Sequence, residues 1–476
     1  MNTIQKIAKN TSLLFISQII TYVISFITLT YTVRYLSLED FGILSFALSF
    51  AGILVIFTDI GLSSLMTREI ARDKSIVKEY TNNIILLKII LVIATIIFSV
   101  LLIYFLNYDK QTIEVVLLIV LSFIFNSFTL MFYSIFQAYE SMEYQSLGQV
   151  LNSIVLFAGI MLAIYFQLNL LDFAMVYFIT GVILTLYTII IYRNMFSFPK
   201  ISFNREFSKK LIKEALPLSV AMIFFTITYR VDAVMLAIMA GNISVGLYTA
   251  SYRLMEILTF IPMVFTAAIY PVASNYYVSS HDSLKIVYKK SFEYLTMLSI
   301  PIVILVALLA DQIILWIYGS QYTGSIIALQ ILILSIPFIF LTYVYSALMV
   351  SINKQKLLLK IVIISMILNI SLNLIFIPLY GFVASAFITV LSELSDFALM
   401  FFFLSRYLYK IQISKTIFKP LIAGLIMGLF VFYLNINFLI LIPLSFIFYF
   451  IILILLKTFT KEDFDIIKQL INMKSK

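Results

Sequence analysis

Residues 84–106 read IILLKIILVIATIIFSVLLIYFL, an apolar run with one charge, Lys88, close to its start. Wound as a helix at about 1.5 Å per residue, such a run crosses the ~30 Å hydrocarbon core of a bilayer. Comparable runs recur from Asn10 to Leu456 with short polar gaps. The first seven spans read as Asn10–Val33, Phe41–Ile60, Ile84–Leu106, Val115–Phe136, Ser146–Phe166, Phe173–Tyr192 and Ala215–Ala240. The rest read as Val245–Tyr270, Phe292–Ala310, Ser325–Val350, Leu357–Ile377, Val383–Leu404, Ile417–Leu434 and Phe438–Leu456. The expectation is an all-α integral membrane protein of about fourteen transmembrane helices.

The basic residues are sorted by side. If the amino terminus, with Lys6 and Lys9, faces the cytoplasm, an even number of crossings returns the carboxyl terminus there too. All but four of the 32 lysines and arginines then belong to cytoplasmic gaps or tails, Lys88 among them; the exceptions are Arg34, Lys110, Arg230 and Arg253. This is the positive-inside pattern expected of a multi-pass protein of the cytoplasmic membrane with both termini cytoplasmic. The net charge of +9 then faces anionic headgroups and needs no nucleic-acid partner. Composition agrees, with 63% hydrophobic residues, 12% charged and a mean hydropathy of +1.09, well above the ~45–50% apolar content of soluble domains. The absence of cysteine removes disulfides, thiolate metal sites and a cysteine nucleophile together. The first apolar run is too long for a cleavable signal and lacks a small-residue cleavage site, so it is expected to stay as the first helix.

No gap is long enough to hold a soluble catalytic domain, which argues against an enzyme and leaves function inside the membrane. His281 beside Asp282 reads as loop surface rather than a proton relay. Asn242-Ile243-Ser244 matches a glycosylation sequon, in a turn too short to present it.

Span onsets repeat. The first six begin at 10, 41, 84, 115, 146 and 173, the next six at 215, 245, 292, 325, 357 and 383, a displacement of 204 to 211 residues throughout. Because six is even, both copies enter the membrane from the same side and relate by an axis along its normal. Phe41-Gly42-Ile43-Leu44-Ser45 at the head of span two is echoed by Val245-Gly246-Leu247-Tyr248-Thr249 at the head of span eight. The organisation expected is an amino-terminal lobe over 1–198 with helices 1–6, a cytoplasmic linker over 199–214, and a carboxy-terminal lobe over 215–410 with helices 7–12. Two extra helices follow over 411–457, then a cytoplasmic tail over 458–476. In that tail Phe464, Ile467, Leu470 and Ile471 form one apolar stripe behind a Thr460 cap, as in a short helix lying on the membrane. Two six-helix lobes facing across a cavity make a transporter with its substrate near the midplane. All nine prolines lie from Pro199 onward, and Pro262, Pro301, Pro337 and Pro443 fall inside spans, so kinks are expected in the second lobe.

Charges inside spans are the informative ones, since each costs roughly 2.5–3.5 kcal/mol to insert unless paired or wetted. Arg230 and Asp232 in span seven lie about 200° apart around the helix and cannot pair with each other. Arg230, at mid-membrane, suits an aqueous cavity in which a guanidinium grips a phosphate bidentately. Arg253 and Glu256 in span eight are three apart and can pair locally. Glu393 and Asp396 in span twelve read equally as a cation site or as packing polar residues. For Asp59 and Arg34, near span ends, snorkelling explains as much as function does. Gln18, Asn152, Asn369 and Asn373 add amides that interhelical hydrogen bonding explains. No residue set calls for a cofactor or a metal.

Arg34-Tyr35-Leu36-Ser37-Leu38-Glu39-Asp40-Phe41-Gly42, then Asp59-Ile60-Gly61-Leu62 and Arg68-Glu69, resembles the first lobe of polysaccharide-transporter flippases of the O-antigen type. These share a superfamily with multidrug (MATE) exporters and peptidoglycan lipid flippases. Arg230-Val231-Asp232, Gly246-Leu247-Tyr248, Ser251-Tyr252-Arg253, Tyr270-Pro271 and Ile377-Pro378-Leu379-Tyr380-Gly381 extend the resemblance over almost the whole chain. It implies a MATE-like fold and transfer of an isoprenoid-(di)phosphate-linked oligosaccharide to the outer leaflet by alternating access. On that basis Arg230 is the first residue for the phosphate, Arg253 the second if Glu256 does not hold it, and Arg34 a receiver at the outer exit. Asp59, Asp232, Glu393 and Asp396 are the carboxylates for coupling to a proton or sodium, if transport is coupled. The partners implied are the lipid-linked glycan and membrane lipids. A proton- or sodium-coupled organic-cation antiporter and a peptidoglycan lipid flippase are the alternatives; a membrane-embedded glycan polymerase lacks the loop it would need.

Overall fold

The computed structural model describes residues 3–196, 204–434 and 436–459. The tail stripe from Phe464 to Ile471, its Thr460 cap and the start of the expected linker at 199 lie outside them. No strand occurs among the described residues, and twelve helices there are long and apolar enough to cross a membrane. Two of the twelve are double. Met222–Ser279, 58 residues, and Gln355–Tyr407, 53 residues, each contain a glycine with non-helical backbone, Gly241 and Gly381, where two helices meet. Each half remains long enough to span, so the chain makes about fourteen crossings.

The helices fall into two compact units, one drawn from Met1–Thr249 and Asn373–Phe382, the other from Ala250–Leu372 and Val383–Lys476. The first contains α1 (Thr3–Tyr35), α2 (Leu38–Leu54), α3 (Leu62–Arg72), α4 (Val77–Phe105), α5 (Lys110–Ala138), α6 (Met142–Tyr165), α7 (Leu170–Met195) and α8 (Arg205–Leu258) as far as Thr249. The second contains the end of α8, then α9 (Phe260–Ser279), α10 (His281–Leu308), α11 (Ala310–Ile317), α12 (Ser325–Leu332), α13 (Ile336–Ser351), most of α14 (Gln355–Tyr407), α15 (Ile413–Tyr433) and α16 (Phe438–Leu455).

In the first unit α5 packs along α7 and α2. Between lipid-soluble helices association depends on small residues and hydroxyls more than on apolar burial. Accordingly the Ser122 hydroxyl donates to the Tyr177 carbonyl at 2.7 Å, Thr185 donates to the Phe125 carbonyl at 2.8 Å, and a Cβ on Gly181 would stand 2.8 Å from the Ser122 carbonyl. Short turns carry the polar caps. Ser37 accepts the Asp40 N–H ahead of α2, and Asn169 with Asp172 forms a capping box on α7. Asp109 accepts the Thr112 hydroxyl at 2.6 Å ahead of α5, which holds its carboxyl below the usual carboxylate range.

One contact in this unit is self-symmetric. A Cβ on Gly42 of α2 would run into the Asn242 carbonyl of α8, and a Cβ on Gly246 of α8 would stand 2.5 Å from the Leu38 carbonyl of α2. Residues 42 and 246, and 38 and 242, are each 204 apart, the displacement between spans two and eight. The repeated segments therefore touch backbone to backbone through equivalent positions, as an isologous contact requires. The same packing half-buries Asn242 of the sequon.

In the second unit α10 packs against α9, α13 and α15. The Tyr449 hydroxyl of α16 donates to the Met297 carbonyl at 3.0 Å, and Phe430 stacks on Phe448 at 4.3 Å to join α15 to α16. His281 is exposed at the first position of α10. Pro301 and Pro443 lie inside helices, as do Pro217, Pro271, Pro378 and Pro420. Pro262 and Pro337 instead sit in the first turns of α9 and α13, where a missing N–H costs nothing, so they start helices rather than kink them. Large apolar side chains such as Leu101, Phe105, Tyr165, Phe402 and Leu455 are exposed on the helix exteriors, the surface a lipid environment requires.

Candidate functional site

The first unit contains a cavity of about 690 Å³. One wall is a stripe of α5, with Phe123, Asn126, Leu130, Tyr133, Ser134 and Gln137 at three- and four-residue spacing. A second is a stripe of α8, with Ser219, Met222, Thr226 and Arg230. The third runs from Gly52 at the end of α2 through Asp59 to Ser63, Ser64 and Thr67 of α3, and Gln145 of α6 closes one end. Hydroxyl- and amide-bearing side chains make up about half of the lining residues, and its charged residues are Asp59 and Arg230.

Asp59 stands where span two breaks. Beyond Leu54 the chain tightens into a 3-10 turn over Val55–Thr58, then passes through Ile60 at φ 39° and Gly61 at φ 84° before α3 starts. A β-branched residue at positive φ is strained by of order 1–3 kcal/mol. Gly61 is required twice over, since its φ is left-handed and a Cβ there would meet the Ala215 carbonyl. A broken helix in a membrane protein exposes N–H and C=O groups that nothing in lipid can satisfy. Here one ion pair serves both broken ends. The Asp59 carboxylate accepts the Ser63 hydroxyl at 2.6 Å and the Ser63 N–H at 3.3 Å, capping α3. Lys88 of α4 donates to Asp59 Oδ1 at 2.9 Å and to the Thr58 carbonyl at 3.3 Å, closing the 3-10 turn. Lys88, grouped by sequence with the loop cations, is in fact 0% exposed; its partners Asp59 and Thr58 lie 29 and 30 residues earlier in the chain, where span length alone could not reveal them.

Arg230 lies over the last two turns of α2. Its guanidinium donates to the Leu48 carbonyl at 3.2 Å and sits 5.9 Å from the centre of the Phe123 ring. Gly52 makes the room, since a Cβ there would stand 2.5 to 2.7 Å from Nε, Cζ and Cδ of Arg230. A delocalised guanidinium tolerates this half-dry, ring-stacked seat better than an ammonium would.

The other sequence candidates lie elsewhere. Asp232 is buried on the opposite side of α8 from Arg230, accepting the Tyr248 hydroxyl at 3.0 Å and the Asn373 amide at 2.9 Å. In the second unit Arg253 pairs with Glu256 at 2.6 Å, with both side chains about one-third exposed. Arg34 is exposed in the last turn of α1, where a cation complements the helix dipole. Glu393 and Asp396 are half-buried on α14, and Asp396 Oδ1 has no hydrogen-bond partner among the described residues. The cavity thus brings Asp59 and Arg230 together and leaves Asp232, Arg253, Arg34, Glu393 and Asp396 outside its lining. Sequence reading also passed over Gln137 and Gln145, whose side chains bond each other at 2.9 Å across the turn between α5 and α6.

Comparison with known proteins bears on the whole chain. The profile of the family described as polysaccharide biosynthesis protein matches residues 7–277, and that of the MatE family matches residues 217–375. An uncharacterised membrane protein of Methanocaldococcus jannaschii is 21% identical over 417 residues, 82% of each chain. Among solved structures, the lipid II flippase MurJ in an inward closed conformation superposes with a TM-score of 0.78 at 17% identity, over 92% of this chain and 97% of that one. An inward-facing multidrug resistance MATE transporter superposes with a TM-score of 0.65 at 17% identity, over 82% and 94%. The fold is that of these transporters, whose names describe transport and not catalysis.

Proposed function

This chain belongs to the polysaccharide biosynthesis protein family, and from that premise we propose that it is a flippase for an isoprenoid-(di)phosphate-linked oligosaccharide or polysaccharide repeat unit. It carries the head group from the inner to the outer leaflet of the cytoplasmic membrane by alternating access. The basic end of the first unit, with Arg68, Arg72 and Lys74, faces the cytoplasm by the positive-inside rule, as do both termini.

The charge balance of the cavity carries this reading. Asp59 is neutralised within the protein by Lys88, so it offers no net attraction to an organic cation. Arg230 is the other charged residue of the lining, and a guanidinium there suits an anionic head such as a phosphate. An antiporter for organic cations would need the reverse. Coupling falls to Glu393 and Asp396 of α14, with Asp396 first because its Oδ1 has no hydrogen-bond partner among the described residues, since Lys88 already engages Asp59 and Tyr248 and Asn373 already engage Asp232.

The test is reconstitution in liposomes with a fluorescent-headed polyprenyl-diphosphate oligosaccharide, scoring head-group movement between leaflets. Wild type is expected to move the head, and Arg230→Ala, still folded, to lose that movement. Gradient-driven efflux of organic cations without lipid movement would overturn the proposal, and movement of a peptidoglycan precursor alone would reassign the glycan.

A further inference from the structure

The cavity is long and its two ends differ. Phe123 and Gln137 on α5 are fourteen residues apart, so the lining extends about 21 Å along that helix, from the level of Arg230 to the end bearing Gln137. Arg230 marks one pole. At the other, no lining side chain beyond Asp59 is charged, and Lys88 balances Asp59. What stands there is a pair of amides.

Gln137 Nε2 donates to Gln145 Oε1 at 2.9 Å. That bond leaves the Gln137 carbonyl oxygen as an acceptor and the Gln145 NH₂ as a donor, one on each of the linked amides. An acceptor and a donor on linked amides complement sugar hydroxyls, each of which can give one hydrogen bond and take another. The pair is braced from behind. Gly148, three residues after Gln145, lets the Tyr133 hydroxyl close onto α6, and Tyr187 donates to the Tyr144 carbonyl at 2.9 Å.

We propose that the Gln137–Gln145 end of the cavity is a sugar subsite, taking a neutral sugar through its hydroxyls while the phosphate of the same head sits at Arg230. This rests on the flippase reading and adds a direction to it: the glycan lies along α5, its phosphate end at mid-membrane and its distal sugars toward the basic end of the unit. Asn126, between the two poles on the same stripe, meets the sugars in between. No cation lines the cavity at the amide pair, so the hydrogen bonds offered there favour a neutral sugar.

Two probes test it on the full-length purified protein: a short polyprenyl diphosphate without sugar, and the same lipid bearing a neutral trisaccharide. Binding is measured to wild type, to Arg230→Gln, and to the near-isosteric double variant Gln137→Met/Gln145→Met. The double variant is expected to bind the trisaccharide probe about tenfold more weakly, the worth of one to two hydrogen bonds, and to bind the sugarless probe unchanged. Arg230→Gln is expected to weaken both. If the methionine variant weakens both alike, or neither, the subsite is refuted while the flippase reading stands. If wild type binds neither probe, the flippase reading fails and takes the subsite with it. Should the double variant not fold, Gln145→Met alone is read by the same contrast.

Discussion

Substituting Gly42 and Gly246 by alanine, singly and together, tests whether the repeat-related helices share one line of contact. An alanine methyl at Gly246 would stand 2.5 Å from the Leu38 carbonyl oxygen, about 0.9 Å inside the 3.4 Å at which ordinary contact begins. At Gly42 the methyl runs into the Asn242 carbonyl oxygen itself and stands 2.6 Å from the carbonyl carbon, so the required shift is larger. In both cases the obstacle is backbone, which yields only by moving a helix. Overpacking of this kind costs about 1–3 kcal/mol per site. The two clashes are relieved by the same displacement, since the Gly42 and Gly246 contacts flank one helix crossing. Once Gly42→Ala has separated α2 from the start of α8, room for a methyl at Gly246 exists already. The double variant should therefore cost little more than Gly42→Ala alone, a non-additivity of roughly the whole Gly246→Ala effect. Denaturant titration of the purified protein in one detergent, with all four members of the cycle, gives the numbers. Costs that add to within ~0.5 kcal/mol would refute a shared displacement and with it the symmetric contact.

Three further outcomes follow from the site. Gly52→Ala should leave stability nearly unchanged, because the obstructing atoms belong to the flexible Arg230 side chain, yet weaken binding of a polyprenyl diphosphate about tenfold by unseating the guanidinium; unaltered affinity would detach Arg230 from the phosphate. Lys88→Met leaves Asp59 without its cation and should cost about 3 kcal/mol, the low end for a broken buried pair because the Asp59 side chain is 28% exposed. Adding Asp59→Asn, which can still cap α3, should recover most of that loss in a thermal melt, and no recovery would mean that Lys88 matters for packing alone. Asp396→Asn should abolish any stimulation of head-group movement by a proton gradient while leaving movement without a gradient intact, as read in the liposome assay; undiminished stimulation would remove Asp396 from coupling.

The membrane class and helix count were legible because a run such as 84–106 signals through its length, which no tertiary context alters. The chemistry was less legible, and Lys88 shows why. Four residues into an apolar run, a lysine near a span end reads as a snorkelling loop cation, and only the fold brings it to Asp59. Arg230 was visible because nothing nearby in sequence could neutralise it, whereas its seat, made by Leu48, Gly52 and Phe123, depends on two other helices. Gln137 and Gln145 looked like ordinary turn-flanking polar residues. Their pairing needs the positive-φ Glu140 between them, at which the chain reverses from α5 into α6.

The repeat shows why the polar break that lines the cavity lies in one copy only. Span two breaks after Leu54, and the position equivalent to Val55 at the 204-residue displacement is Thr259, where α8 gives way to α9. Both copies are therefore interrupted at the same depth, but different residues satisfy the interruption. At Thr259 the hydroxyl donates to the Glu256 carbonyl at 2.6 Å and Pro262 starts the next helix, followed by Met263, so the break is closed locally and stays apolar. At Asp59 the break is closed by an ion pair with another helix, and that pair carries polar groups into the wall of a cavity. A break serves transport in either half by letting a helix bend, but only a break lined by charge and hydroxyls offers a sugar phosphate a replacement for water. A chimera with 259–263 in place of Val55–Asp59 and with Lys88→Met, which keeps Gly61 and leaves no buried cation unpaired, should thus preserve the fold's helix count and abolish head-group binding. A chimera that bound the trisaccharide probe with native affinity would show that the polar break is dispensable.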